Sequence, residues 1–151
     1  GQKLQDKINN NDYSAFSYEP CDASNKKESL SAFIQFLTTL EFMDDSWVGV
    51  LESFNEDSPK DENKLEQIAL YFVYRYFLKA VFDCDVLSKL KFMALSVITI
   101  NALAKPCGNL YESARRYSVE VEHNEENVDL IYDEFLFNED LSSEKIIGMI
   151  N

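Results

Sequence analysis

The 151 residues carry 27 acids against 14 lysines and arginines, a formal net charge of −13, with 46% apolar and 13% aromatic residues. That charge disfavours nucleic acid and acidic membrane leaflets as partners, and that apolar content excludes a disordered chain. Only 4 glycines and 3 prolines argue against a turn-rich β sandwich and favour long helices, in a chain long enough for one domain with a sizeable core.

Residues 3–11 are polar and end in Asn9-Asn10-Asn11, a weak helix at best. Residues 12–24 hold Tyr13, Phe16, Tyr18 and Pro20 without a period. The expectation is an irregular N-terminal segment over 1–24, its aromatics packed on a single helical domain of residues 25–151. Asn25 and Glu28 have capping-box spacing, and Leu30, Phe33, Ile34, Leu37 and Leu40 predict a helix face to about Phe42. Asp45 or Ser46 caps a short helix carrying Trp47, Val50, Leu51 and Phe54. Ser58 with Pro59 behind it is a helix start, because proline has no N–H to lose at the first helical position. That helix is predicted to run to about Phe82.

Asp85 caps the next helix, which Pro106 and Gly108 end after Lys105. Asn109 with Glu112 opens another, to about Glu122. Asn124 starts a helix with Val128, Ile131, Tyr132 and Phe135 on one face, and Ser142 or Ser143 caps a last one ending at Ile150. No strand pattern of useful length alternates between these elements. The fold class read from this is all-α, an irregular bundle of about seven helices.

Its expected centre is the pair 59–82 and 86–104. In the first, Leu65, Ile68, Ala69, Phe72, Val73, Tyr76, Phe77 and Ala80 follow the spacing of one helix face. The second is apolar nearly all round, and such a helix must be buried or in a membrane. Its apolar run Phe92 to Ala104 is interrupted by Ser96, Thr99 and Asn101 and falls short of the roughly 20 residues that a span needs. It therefore reads as a core helix.

The chain opens without a secretory leader pattern. Cys21, Cys84 and Cys107 are isolated, with no CxxC spacing and only one histidine. A structural zinc site, which needs about four ligands, is not expected within the chain. Unpaired thiols suit a reducing compartment, and the expected location is cytoplasmic. Cys84 sits in the acidic hinge Asp83-Cys84-Asp85 and reads as a small half-buried residue at a tight turn.

Charge is unevenly placed. Residues 75–116 sum to +4, and residues 119–151 to −9. The expected consequence is that the acidic C-terminal helices pack beside the basic centre and form solvated ion pairs. The sharper alternative is a basic pocket for an anion such as a carboxylate, built from Arg75 and Lys79 on one helix face with Lys89 and Lys91 beyond the hinge. Against it, Arg75 is expected to pair with Glu120 or Glu122 and the lysines to face solvent.

The densest polar group is Arg116, Tyr117, Glu120, Glu122, His123 and Asn127. Arg116, Glu120 and His123 or Asn127 fall at three-to-four spacing and share a helix face. Such a set suits bidentate recognition by a carboxylate, with His123 as a base near neutral pH. The plainer expectation is a buried polar network that locks the last helices onto the central pair. Likewise, Tyr71, Tyr74, Tyr76 and Phe77 have the chemistry of a methyl-lysine cage but are expected in the core. There is no glycine-rich phosphate loop and no dinucleotide fingerprint.

Four stretches carry a resemblance. They are Leu40-Glu41-Phe42-Met43-Asp44-Asp45-Ser46-Trp47, the run from Tyr71 to Asp85, Ser88-Lys89-Leu90-Lys91-Phe92, and the run from Ala114 to Asn127. In this order and spacing, over roughly residues 40–130, the chain resembles the C-terminal part of the flagellin lysine-N-methylase family. The resemblance implies methyl transfer from S-adenosylmethionine to lysines of flagellin. A carboxylate or tyrosine that positions and deprotonates the lysine would serve it. It further implies an N-terminal cysteine cluster holding a metal or iron–sulfur centre, and this chain lacks that cluster. The chain is then either the C-terminal fragment of such a protein or a divergent relative without the centre, and in neither case a complete active site. Another departure is Cys84, where the family leads one to expect glycine.

Overall fold

A computed structural model describes residues 23–150, with side chains described for residues 27–149. The expected N-terminal segment 1–24 and its aromatics lie almost wholly outside the described residues. Among those described, all regular structure is helical. Seven α-helices of seven residues or more follow in order: α1 Ala23–Leu37, α2 Ser46–Glu52, α3 Glu62–Tyr76, α4 Val86–Ala102, α5 Leu110–Tyr117, α6 Glu125–Phe137 and α7 Ser143–Ile150. The all-α bundle is as expected.

Helix starts follow short polar side chains that accept from otherwise unpaired amides. Asp85 accepts from the Ser88 amide at 3.1 Å, Asn109 from Glu112 at 2.9 Å, and Asn124 from Glu126 and Asn127 at 3.1 and 3.3 Å. The α3 start departs from expectation. Asp61, not Ser58, is the cap, accepting from Lys64, and the helix begins at Glu62. Asp61 also pairs with the Lys64 ammonium at 2.8 Å, which gives this cap a second hold that the Ser58 hydroxyl lacks. Ser58 instead donates to the Asn55 carbonyl and closes the preceding turn. At Asn109–Glu112 only half of the capping box forms, because Glu112 turns outward to Arg115 at 2.6–2.8 Å.

The hub is α4. It packs against α1, α3, α5, α6 and α7. Its Phe92 and Leu95 are fully buried, and Phe92 meets the rings of Phe72, Tyr76 and Tyr132 at 6.0, 4.9 and 5.6 Å. Phe33, Trp47, Leu51, Tyr117 and Ile131 complete the core from the other helices.

The expectation of a buried pair fails for α3. This helix packs mainly on α4 and lies at the edge. Phe72 and Tyr76 are buried, whereas Tyr74 is 74% exposed. The reason lies in the continuation. After Tyr76 the chain tightens into a 3₁₀ turn, Phe77–Lys79, before one further helical turn, Ala80–Asp83. Three residues per turn in place of 3.6 re-phases the face. Ala80 then points inward, while Phe77, Leu78, Val81 and Phe82 are exposed. The hinge closes on Cys84 at φ 59°, with its amide donating to the Ala80 carbonyl. That left-handed conformation costs a residue with a Cβ about 1–2 kcal/mol and accounts for glycine as the expected residue. Cys84 is exposed rather than half-buried.

No helix among the described residues is long and apolar enough to cross a membrane.

Candidate functional site

α5 does not run on to Glu122 as a regular helix. At Ser118–Glu122 it widens into a π turn, closed by the His123 amide on the Ser118 carbonyl at 3.0 Å. A π turn adds a residue to the circumference and changes which side chains face inward. Here Glu120 and Glu122, two positions apart, are both buried.

Glu120 accepts from the amides of Met43 and Asp44 at 2.8 and 3.3 Å. Asn127 donates through Nδ2 to the carbonyls of Glu41 and Glu120 at 2.8 and 3.1 Å. Arg116 pairs with Asp44 at 2.9 Å, donates to the Ser46 hydroxyl and lies 5.1 Å from the Trp47 ring. The expected face of a single helix does not form, because α5 ends at Tyr117 and Asn127 belongs to α6; Arg116, Glu120 and Asn127 instead converge from separate elements into one face that clamps the 41–47 loop. Hydrogen bonds from Ser46, then the Arg116 guanidinium, hold the Asp44 carboxyl below its ordinary value. His123 is not part of the face. It is exposed, and its Nδ1–H donates to the Ser118 carbonyl at 2.8 Å.

Glu122 serves α3. Its Oε1 accepts from the hydroxyls of Tyr76 and Tyr71 at 2.8 and 3.2 Å, and Arg75 Nε stands 3.6 Å away. Burial, then the adjacent carboxylate, pushes both tyrosines above their ordinary values. Arg75 pairs with Glu122, one of its two expected partners. Lys79 lies 5.6 Å from the Tyr76 ring. Tyr117 is fully buried and shares a hydrogen bond of 3.0 Å with Ser96. Of the polar group, Tyr117, Glu120, Glu122 and Asn127 are buried in hydrogen bonds within the fold, Arg116 is half-buried at its edge and His123 lies outside it. Tyr71, Tyr74, Tyr76 and Phe77 form no cage, but the expectation that all four lie in the core is corrected: only Tyr76 does, and Tyr71, Tyr74 and Phe77 are exposed.

Two expectations about charge are corrected. Lys89 and Lys91 do not face solvent; both are buried. Lys89 pairs with Asp83 at 2.9 Å and stands 4.0 Å over the Tyr132 ring. Among the described residues, Arg75–Glu122 is the one ion pair that joins the basic centre to the acidic C-terminal region. The acids of α6 do not reach the basic centre because they point outward: Glu125, Glu126, Asp129 and Asp133 are exposed. Asp44 and Trp47, which complete the clamp, were not marked by spacing, since they come from a loop and a short helix about 70 positions from Arg116.

Among the described residues, no group of three or more histidine, cysteine or acidic side chains is placed to hold a metal ion.

Burial pushes Tyr117, Tyr76 and Tyr132 upward. Each phenol is therefore neutral in the fold at a pH where the unfolded chain ionises it. The stability this lends is complete below the unfolded value of about 10 and is lost as pH rises above it, at up to about 1.4 kcal/mol per pH unit for each tyrosine. Urea midpoints measured between pH 9 and 12 are expected to fall steeply above pH 10, and Tyr117→Phe to flatten that fall.

Comparison with protein-family models, with curated proteins and with solved structures gave no match for this chain.

Proposed function

We propose that this chain is a non-catalytic, cytoplasmic helical protein-interaction module whose acidic surface docks a basic partner. One observation carries the reading. Glu120, Glu122 and Asn127 spend their bonds inside the fold, while Glu125, Glu126, Asp129 and Asp133 stand exposed on α6 with no ion pair among the described residues. An unneutralised acidic face steers and orients a cationic partner. The test is calorimetric titration of the full chain with a lysine- and arginine-rich peptide. Binding is expected at low salt and is expected to weaken as salt is raised. The double variant Asp129→Asn/Asp133→Asn leaves Glu125 and Glu126 to stabilise the α6 start. It is expected to weaken binding about fivefold, from two exposed charges worth about 0.5 kcal/mol each. Unchanged affinity would remove the reading.

A second reading places the chain in a flagellin lysine-N-methylase-like protein, as a C-terminal helical domain that supports substrate or donor binding. It is supported by the way the resembling stretches meet. The 40–47 stretch is clamped by the 114–127 stretch, and Tyr71 and Tyr76 are joined to Glu122. S-adenosylmethionine would be the donor, and any iron–sulfur or metal centre would lie outside this chain. Heat on titrating the full chain with S-adenosylmethionine would favour this reading, and its absence would remove donor binding from this domain.

A further inference from the structure

A groove of about 910 Å³ runs between α3, α4 and α7, away from the Glu120 and Glu122 network. Leu65 and Val73 of α3, Leu90, Ala94 and Ile98 of α4, and Ile146 of α7 line it. Its volume is that of a site for a small organic ligand. Two lysines, Lys27 and Lys60, and three acids, Glu56, Asp57 and Glu62, also line it, in near balance.

One buried charge in the lining has no counter-ion among the described residues. Lys91 is about nine-tenths buried. Its Nζ donates to the Phe135 carbonyl at 3.3 Å and stands 5.8 Å from the Phe135 ring, and no carboxylate pairs with it among the described residues. An ammonium has three donors, and burying one without an anion is costly. Farther along the same groove, Asn101 is 7% exposed and its Oδ1 is buried with no hydrogen-bond partner. Lys91 and Asn101 are separated by about 15 Å, from ten residues at the helical rise.

We infer that this groove binds a long-chain monocarboxylate, a ligand of the fatty-acid class, with its carboxylate on Lys91 and its chain along the apolar wall of α4, within the length of about 15 Å that separates Lys91 from Asn101. The carboxylate supplies the anion that Lys91 lacks. The methylenes cover the apolar walls that α3, α4 and α7 leave open. This site goes beyond the acidic docking surface and does not depend on it.

The test is titration of the full chain with dodecanoate and tetradecanoate, below micelle-forming concentrations, beside tetradecanol. Saturable 1:1 binding is expected for the acids, tightening about fourfold per added methylene, with the alcohol at least tenfold weaker than tetradecanoate, because a charge-assisted hydrogen bond is lost. Lys91→Met is expected to remove the preference for acid over alcohol, and Lys91→Arg to keep it. Ala94→Trp, which fills the groove one turn beyond Lys91 and leaves the lysine in place, is expected to abolish both. If Lys91→Met does not fold, the acid–alcohol preference of the unaltered chain and the Ala94→Trp result still decide. Equal affinity for acid and alcohol would overturn the inference. So would an unchanged preference in Lys91→Met, or the absence of saturable binding, the result given by a groove already covered by residues 1–22 or by a second copy of the chain.

Discussion

Replacing Phe92 by alanine is expected to destabilise this protein by about 3–5 kcal/mol, the range for removing a fully buried aromatic side chain. Phe92 is 0% exposed, at the middle of α4, and three rings from two other helices lie within 6.0 Å of its centre. Those rings cannot all move into the void, because Tyr76 is fixed by its hydrogen bond to Glu122, Phe72 is carried on the same helix and Tyr132 belongs to α6. Offset and edge-on ring pairs add about 0.5–1.5 kcal/mol each beyond area burial, and that contribution is lost too. Domains of this size have about 5–15 kcal/mol in total. The variant is therefore expected to be largely unfolded well below the melting temperature of the unaltered chain, as circular dichroism at 222 nm would show.

Glu122→Ala is expected to cost about 3 kcal/mol or more. Its side chain is 1% exposed, and two tyrosine hydroxyls donate to one of its oxygens. Hydrogen bonds to a charged acceptor are worth about 1.5–3 kcal/mol each. Arg75 adds little, because its side chain is 41% exposed and water screens the pair. Tyr76→Phe removes one of the two donors and is expected to cost about half as much. In a double-mutant cycle the two substitutions are expected to couple by about 1.5 kcal/mol, since they share that bond. Urea unfolding of the three variants measures this. A Glu122→Ala variant as stable as the unaltered chain would show that α3 is held by packing alone.

The helices and the hub helix were legible because their causes are local. A segment apolar nearly all round and too short to span a membrane, as in 86–104, belongs in the interior, and Asp85, Asn109 and Asn124 announce helix starts through bonds made within three residues. What was not legible depended on phase. The 3₁₀ turn at Phe77–Lys79 and the π turn at Ser118–Glu122 each break the 3.6-residue period. A face counted at constant period therefore puts Phe77 inside and cannot bury both Glu120 and Glu122. The burial of Lys91 was missed for a related reason. A charged residue is normally read as solvated, yet its spacing from Leu87, Ala94 and Ile98 sets it on the face of α4 that lines the groove. The partners Asp44 and Trp47 needed tertiary structure, since nothing local links a loop near residue 44 to a helix near residue 116.

The central claim is that α4 carries the fold while the end of the preceding helical segment stands in water. Urea unfolding of Phe92→Ala beside Phe82→Ala tests it most directly, since the second ring is 90% exposed, only a few residues from α4. Phe82→Ala is expected to stay within about 0.5 kcal/mol of the unaltered chain, as surface substitutions do, while Phe92→Ala loses about 3 kcal/mol or more. Equal losses for the two, or a Phe92→Ala variant that loses less than Phe82→Ala, would contradict it.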